Sequence, residues 1–218
     1  MTATVFIVFH TIHHHIYKLS LEVQKGLEAA GVTTKLFQVS ETLSEEVLAK
    51  MKAPPKPDVP VITVDQLAQA DGIMFGFGTR FGMVPAQMKN FWDGTGQLWA
   101  KRQLEGKFVG TFFSTGSQHG GQETTAYNAI PFFAHHGMMY VPFGFPSKHM
   151  SDNSQVIGGS PYGAGTCVNG ERPEEALQIE RDLAKLQGEN FGKIVATYVQ
   201  GKQALEQQQN ASASHTKL

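Results

Sequence analysis

Phe108 to Gln122, FVGTFFSTGSQHGGQ, constrains the chain more than any other stretch. A short apolar run, Phe108 to Phe113, opens at once into Ser114, Thr115, Gly116 and Ser117, then Gly120 and Gly121, and a helix-like segment follows from Glu123. The order is strand, loop, helix. The loop is rich in hydroxyls and bare peptide N–H groups, which suit a phosphorylated or planar polar ligand. The same order occurs elsewhere. Thr4 to Phe9, TVFIVF, is the continuous β-branched and aromatic run of a strand buried on both faces of a parallel sheet. After the polar loop His10 to His15, Ile16, Leu19, Val23 and Leu27 recur at helical spacing as far as the terminating Gly31.

Thr33 to Val39 reads as a second strand and Gly72 to Phe77 as a third. Gly78-Thr79-Arg80-Phe81-Gly82 follows the third, and Pro85 suits the first turn of a helix carrying Met88, Phe91 and Trp92. Met138 to Val141 is a short fifth strand. Between the second and third strands lie a short helix (Ser44 to Met51), the proline-dense stretch Ala53 to Pro60, and a capping box of Thr63 and Gln66. Residues 142–172 are expected to be loop. Pro173 begins the longest helix, weakened in its middle by Gly188 and Gly192. Residues 1–200 are therefore expected to form one domain, and 201–218, poor in apolar residues, a disordered tail.

Eighteen Lys and Arg against 19 Asp and Glu leave no basic field for nucleic acid. One cysteine, Cys167, excludes an internal disulfide framework and fits a reducing, cytoplasmic setting. No apolar run approaches the ~20 residues of a membrane span. The ending Thr216-Lys217-Leu218 resembles the peroxisomal Ser-Lys-Leu in all but its first residue, which leaves a peroxisomal address as the alternative expectation. His10, His13, His14 and His15 lack an acid or thiol partner within their loop, so no metal site is expected.

Strands alternating with helices imply an α/β fold: a doubly wound, five-stranded parallel sheet with helices on both faces. Ligands in such sheets bind beyond the carboxyl ends of the strands, where strand order reverses. In the flavodoxin-like order 2-1-3-4-5 the first, third and fourth strands are neighbours. Their glycine- and hydroxyl-rich loops would then converge on one crevice.

Gly78 to Gly82, Gly96-Gln97-Leu98-Trp99-Ala100, Ser114 to Glu123, Ala134-His135-His136-Gly137-Met138 and Gly159-Ser160-Pro161-Tyr162-Gly163-Ala164 resemble, in order, the motifs of the WrbA family of flavodoxin-like NAD(P)H:quinone oxidoreductases. The resemblance runs over about residues 4 to 199. It implies FMN in the crevice, a homo-tetramer, and two-electron reduction of a quinone to its hydroquinone by NADH or NADPH. Carried across residue by residue, it implies that Thr11, Ile12, His13, His14, His15 and Ile16 hold the FMN phosphate. Thr79, Arg80, Phe81 and Gly82 would meet the flavin on one side, and Ser114, Thr115, Gly116, Ser117, Gln118, Gly120 and Gly121 on the other. His135 corresponds to a flavin contact and is the expected catalytic residue, and Trp99 to the aromatic at the substrate face.

One loop departs from the family pattern. Where the phosphate loop of the family reads Ser or Thr, any residue, Tyr, Gly, His, Ile, this chain has Thr11-Ile12-His13-His14-His15-Ile16. If the glycine position needs positive φ or close approach to the phosphate, His14 is expected to add about 1–2 kcal/mol of strain and to crowd the anion. The alternative expectation is a flavodoxin-like scaffold or regulatory protein that has lost FMN.

Overall fold

The computed structural model describes residues 2–168 and 176–215. Strand β1 (Thr4–Phe9) leads into α1 (His15–Ala29), and β2 (Thr33–Gln38) follows. Ser44 caps α2 (Glu45–Lys50) by accepting from the Val47 N–H, and the Thr63–Gln66 capping box opens a 3-10 turn over Val64–Gln69. Then come β3 (Gly72–Gly78), α3 (Ala86–Asp93), α4 (Gly96–Ala100), β4 (Phe108–Thr115) and α5 (Gln122–His135). The chain continues through β5 (Met139–Tyr140), β6 (Gly165–Cys167) and α6 (Gln178–His215). The expected start of α6 at Pro173 lies outside the described residues, as does Thr216-Lys217-Leu218.

The sheet is parallel throughout and ordered β2-β1-β3-β4-β5, as expected. Side chains alternate across it. Phe6 and Val8 of β1 point into one core with Phe75, Trp92 and Phe133, while Val5, Ile7 and Phe9 join Leu19, Leu27 and Phe191 on the other side. Two buried faces explain why β1 reads as an unbroken apolar run.

A sixth strand corrects the expected count of five. β5 pairs with the start of β4 (Phe108 with Met139), and β6 with its end (Phe113 with Gly165, Thr115 with Cys167). The fifth position in the sheet is thus occupied by two pieces, and residues 141–164 leave the sheet between them. Gly165–Cys167 is too short to show a periodicity, and distant side chains hold it. The buried Glu180 carboxylate accepts from Thr166 Oγ1 at 2.7 Å and Cys167 N at 3.2 Å. Gln187 Oε1 accepts from Ala164 N at 2.9 Å.

α6 brings two further corrections. Gly188 is where the helix meets α1: a Cβ there would lie 2.2 Å from the Val23 carbonyl oxygen, so its low propensity is offset by close packing. Instead of a disordered tail, the helix continues from Gly201 to His215. Ala, Gln, Glu, Lys and Leu favour helix without tertiary support, and this stretch is mostly exposed. No helix among the described residues is long and apolar enough to cross a membrane.

Candidate active site

The loops after β1, β3 and β4 meet at a crevice of about 230 Å³ beyond the carboxyl ends of those strands. The first loop supplies Thr11, Ile12, His13, His15 and Ile16 to the wall. Thr11 is buried, and its Oγ1 has no hydrogen-bond partner among the described residues. A buried hydroxyl in that condition costs about 1–3 kcal/mol unless a ligand engages it. The first turn of α1, just beyond, carries no acidic residue, so the helix dipole favours an anion there.

His14 adopts φ 64° and ψ −1°, so this position does take the left-handed conformation that glycine favours. The ring does not line the crevice. It turns outward, with Nε2 2.8 Å from the Pro55 carbonyl oxygen. The left-handed backbone expected at this position is present, and the side chain lies outside the crevice wall.

Arg80 and Met83 exchange two backbone hydrogen bonds of 2.8 and 3.0 Å around Phe81 and Gly82. With φ 52° and 75° at the two central residues this is a type I′ turn. Arg80 and Thr79 face the crevice; Phe81 stands fully exposed at the tip, and Gly82 packs inward. A Cβ on Gly121, at φ 92°, would come within 3.1 Å of Gly82 Cα, so the second and third loops interlock through these two glycines. Thr79 is tied to the same junction through Thr125 Oγ1. Among the described residues the Arg80 guanidinium makes only a 3.4 Å contact with the Thr79 carbonyl, which leaves it available to an anionic or electron-rich ligand.

From β4, Ser114, Thr115 and Gly116 line the wall. Thr115 Oγ1 donates to Ser117 O at 2.7 Å and accepts from Gln122 Nε2 at 2.9 Å. Ser117, Gln118, Gly120 and Gly121 do not line this crevice; Ser117 and Gly121 shape the loop, and Gln118 borders a separate hollow with Glu123 and His149. Four wall residues had no site role assigned from the sequence: His10, Gly78, Pro85 and Val168. His10 and Gly78 open loops that the sequence does mark and Pro85 opens the helix after one, whereas Val168 arrives only through the unforeseen β6.

Trp99 and His135 lie elsewhere. They line a groove of about 490 Å³ with Met83, Val84, Trp92 and Phe132. Trp99 is 57% exposed and His135 is exposed; Trp92 and Phe132 stack behind them with centroids 4.4 Å apart. The neighbouring His136 is buried, with Nε2 2.9 Å from Thr95 Oγ1, and burial together with His135 pushes its pKa below the ordinary imidazole value. His136 therefore packs and caps its helix end. Within a single chain, the structure does not bring His135 or Trp99 to the crevice.

Residues 13–151 match the family described as NADPH-dependent FMN reductase. The chain belongs to this family. It is 50% identical over 191 residues to the NAD(P)H quinone oxidoreductase PST1 of Candida albicans, covering 88% of this chain and 96% of that one. It is 52% identical over 190 residues to the quinone-oxidoreductase QR2 of Triphysaria versicolor, covering 86% and 93%. Among solved structures, the flavodoxin, WrbA-like protein from Agrobacterium tumefaciens shares the fold at a TM-score of 0.62 and 19% identity, with 89% and 98% covered. Family membership and the unpartnered Thr11 hydroxyl agree: the residues present fit a phosphorylated flavin.

Proposed function

We propose that the protein is an FMN-dependent NAD(P)H:quinone oxidoreductase. The observation that carries this reading is the buried, unpartnered Thr11 Oγ1 beneath a helix N-terminus, in the crevice where three loops of this family's fold converge. FMN, when bound, supplies a two-electron redox centre between the nicotinamide and the quinone. Loop 11–16 binds its phosphate with Thr11 Oγ1 and peptide N–H groups. Arg80 offsets negative charge at the crevice wall, and the Gly82–Gly121 contact fixes the two ring-facing loops against each other. Neither role needs a protein nucleophile.

Trp99 and His135 enter this reading through assembly. A homo-tetramer would cover the exposed Phe81, Met83 and Trp99, and would let the groove of one copy complete the quinone face of another. A cytoplasmic setting is part of the same reading, supported by the presence of one cysteine, which excludes a disulfide within the chain. The rival reading, a flavin-free scaffold, rested on the His13-His14 loop, through strain and crowding at position 14; against it, the His14 ring points to Pro55 and not into the crevice.

The test is a coupled assay on FMN-loaded and flavin-stripped protein. Equal amounts of NAD(P)H oxidised and quinone reduced, only with FMN bound, is the expected result. Equal rates with and without FMN, or no reduction of any quinone, would remove the proposal.

A further inference from the structure

We infer that the phosphate loop is held in its binding conformation from outside, by a brace made of the proline-rich segment 53–60 and Glu41, with His14 and Lys56 as positioning residues. The inference rests on the crevice being an FMN site and adds how this chain, lacking the usual glycine, keeps that site formed.

Two outward ties define the brace. His14 Nε2 meets Pro55 O at 2.8 Å across 41 residues of sequence. A carbonyl oxygen only accepts, so Nε2 carries the hydrogen and the contact survives in the neutral and the protonated ring alike. The next residue of the strap, Lys56, donates from Nζ to Thr11 O at 2.9 Å and to Glu41 Oε2 at 2.6 Å. Both ends of the stretch 11–14 are thus drawn away from the crevice. Thr11 Oγ1, which has no partner among the described residues, is left on the inner side.

Glu41 is the anchor of the strap. Its carboxylate also accepts from Gln87 Nε2 of α3 at 2.6 Å, from Thr42 N at 2.9 Å and from Leu43 N at 3.1 Å, and it lies 3.2 Å from His10 Nε2 at the end of β1. Burial alone would raise its pKa, but the Lys56 ammonium, the Gln87 amide, the Leu43 N–H and His10 outweigh burial and hold it well below the ordinary carboxylate range. It remains ionised wherever the protein is folded near neutrality. One acid therefore links β1, the loop after β2, the strap and α3.

This arrangement reverses the simple expectation for position 14. Glycine would reach φ 64° without strain, yet it would also free the loop to leave that conformation. A loop that must be ordered by its ligand binds more weakly than one already ordered. His14→Gly should therefore weaken FMN binding although it removes strain. The effect should be confined to the phosphate, the part of the ligand that this loop holds.

The experiment titrates flavin-stripped full-length protein with FMN and with riboflavin, which lacks only the phosphate, following flavin fluorescence. For His14→Gly and Lys56→Met, FMN affinity should fall about tenfold while riboflavin affinity changes by less than about twofold, and Lys56→Arg should recover most of the loss. Unchanged or tighter FMN binding in His14→Gly would overturn the brace. So would a parallel loss of both ligands, which would mark general damage to the fold. If the wild-type protein showed no preference for FMN over riboflavin, the FMN reading would fail and the brace with it, an outcome distinct from the other two.

Discussion

The crevice and the groove share one turn and are otherwise built in opposite ways. Arg80 faces the crevice and Met83, its hydrogen-bonded partner across the Phe81-Gly82 turn, faces the groove. On the crevice side the polar groups Thr79, Thr115 and Glu41 are fixed by hydrogen bonds within the chain, and Thr11 Oγ1 is left for a ligand. On the groove side the wall is aromatic and open, with Trp99 and Met83 more than half exposed. The contrast separates two tasks. On the proposed reading, one chain would suffice to shape a phosphate and ring site, while the apolar face for a flat substrate would be completed by a second copy of the chain.

The largest effect should come from breaking the junction between the loops. Gly121→Val places a β-branched side chain at φ 92° with its Cβ about 3 Å from Gly82 Cα and Thr124 Oγ1. A loss of about 2–4 kcal/mol is expected. That lowers the melting temperature by about 5–10 °C in a chain of this size, and FMN should be lost on desalting. A stable, flavin-retaining Gly121→Val protein would show that the two loops need not interlock.

Arg80→Ala tests the crevice side alone. Because the Arg80 side chain is exposed and makes one weak contact among the described residues, its truncation should move the melting temperature by less than about 2 °C. It should lower kcat/KM for the quinone about a hundredfold. Equal losses of stability and turnover would assign Arg80 a structural role. Trp99→Ala tests the groove side. FMN should be retained in full, with KM for the quinone raised about tenfold. If Trp99→Ala instead released FMN and left KM unchanged, the division between the two regions would be wrong.

How far these regions could be read from sequence depended on how local their causes are. β1, β3 and β4 were legible because strands buried on both faces show as continuous apolar runs, and their loops because glycine and hydroxyl residues cluster immediately after them. Position 14 was legible as a backbone problem but not as a side-chain solution, since the ring's partner is Pro55, 41 residues away. Glu41 and Lys56 carried no motif. Val168 reached the wall only through β6, whose pairing depends on Glu180 and Gln187 from the last helix. The helix from Gly201 to His215 is not legible from apolar content, because it rests on the intrinsic propensity of its Ala, Gln, Glu, Lys and Leu residues and not on a buried face.

The smallest effect expected is on stability against pH, and each region has a reporter. His10, in the crevice wall, has its pKa lowered by burial, with Lys56 and Arg80 lowering it further and Glu41 opposing them. His136, in the groove wall, has its pKa lowered by burial and by His135. A base with a depressed folded pKa contributes stability that is present above its unfolded pKa of about 6.5 and lost as pH falls through the folded value. Glu41, an acid with a depressed pKa, adds a loss of the same sign below about 4.3. The melting temperature should therefore decline by a few degrees from about pH 6.5 downward and more steeply below about pH 4.3. A melting temperature that rises on acidification would contradict both assignments.

The most direct test of the account is an absorption spectrum of the purified protein after saturation with FMN and removal of unbound flavin. The account predicts one FMN retained per chain, seen as oxidised-flavin absorbance at about 450 nm. Absence of that band at saturating FMN would contradict it, leaving a flavodoxin-like fold whose crevice is not a flavin site.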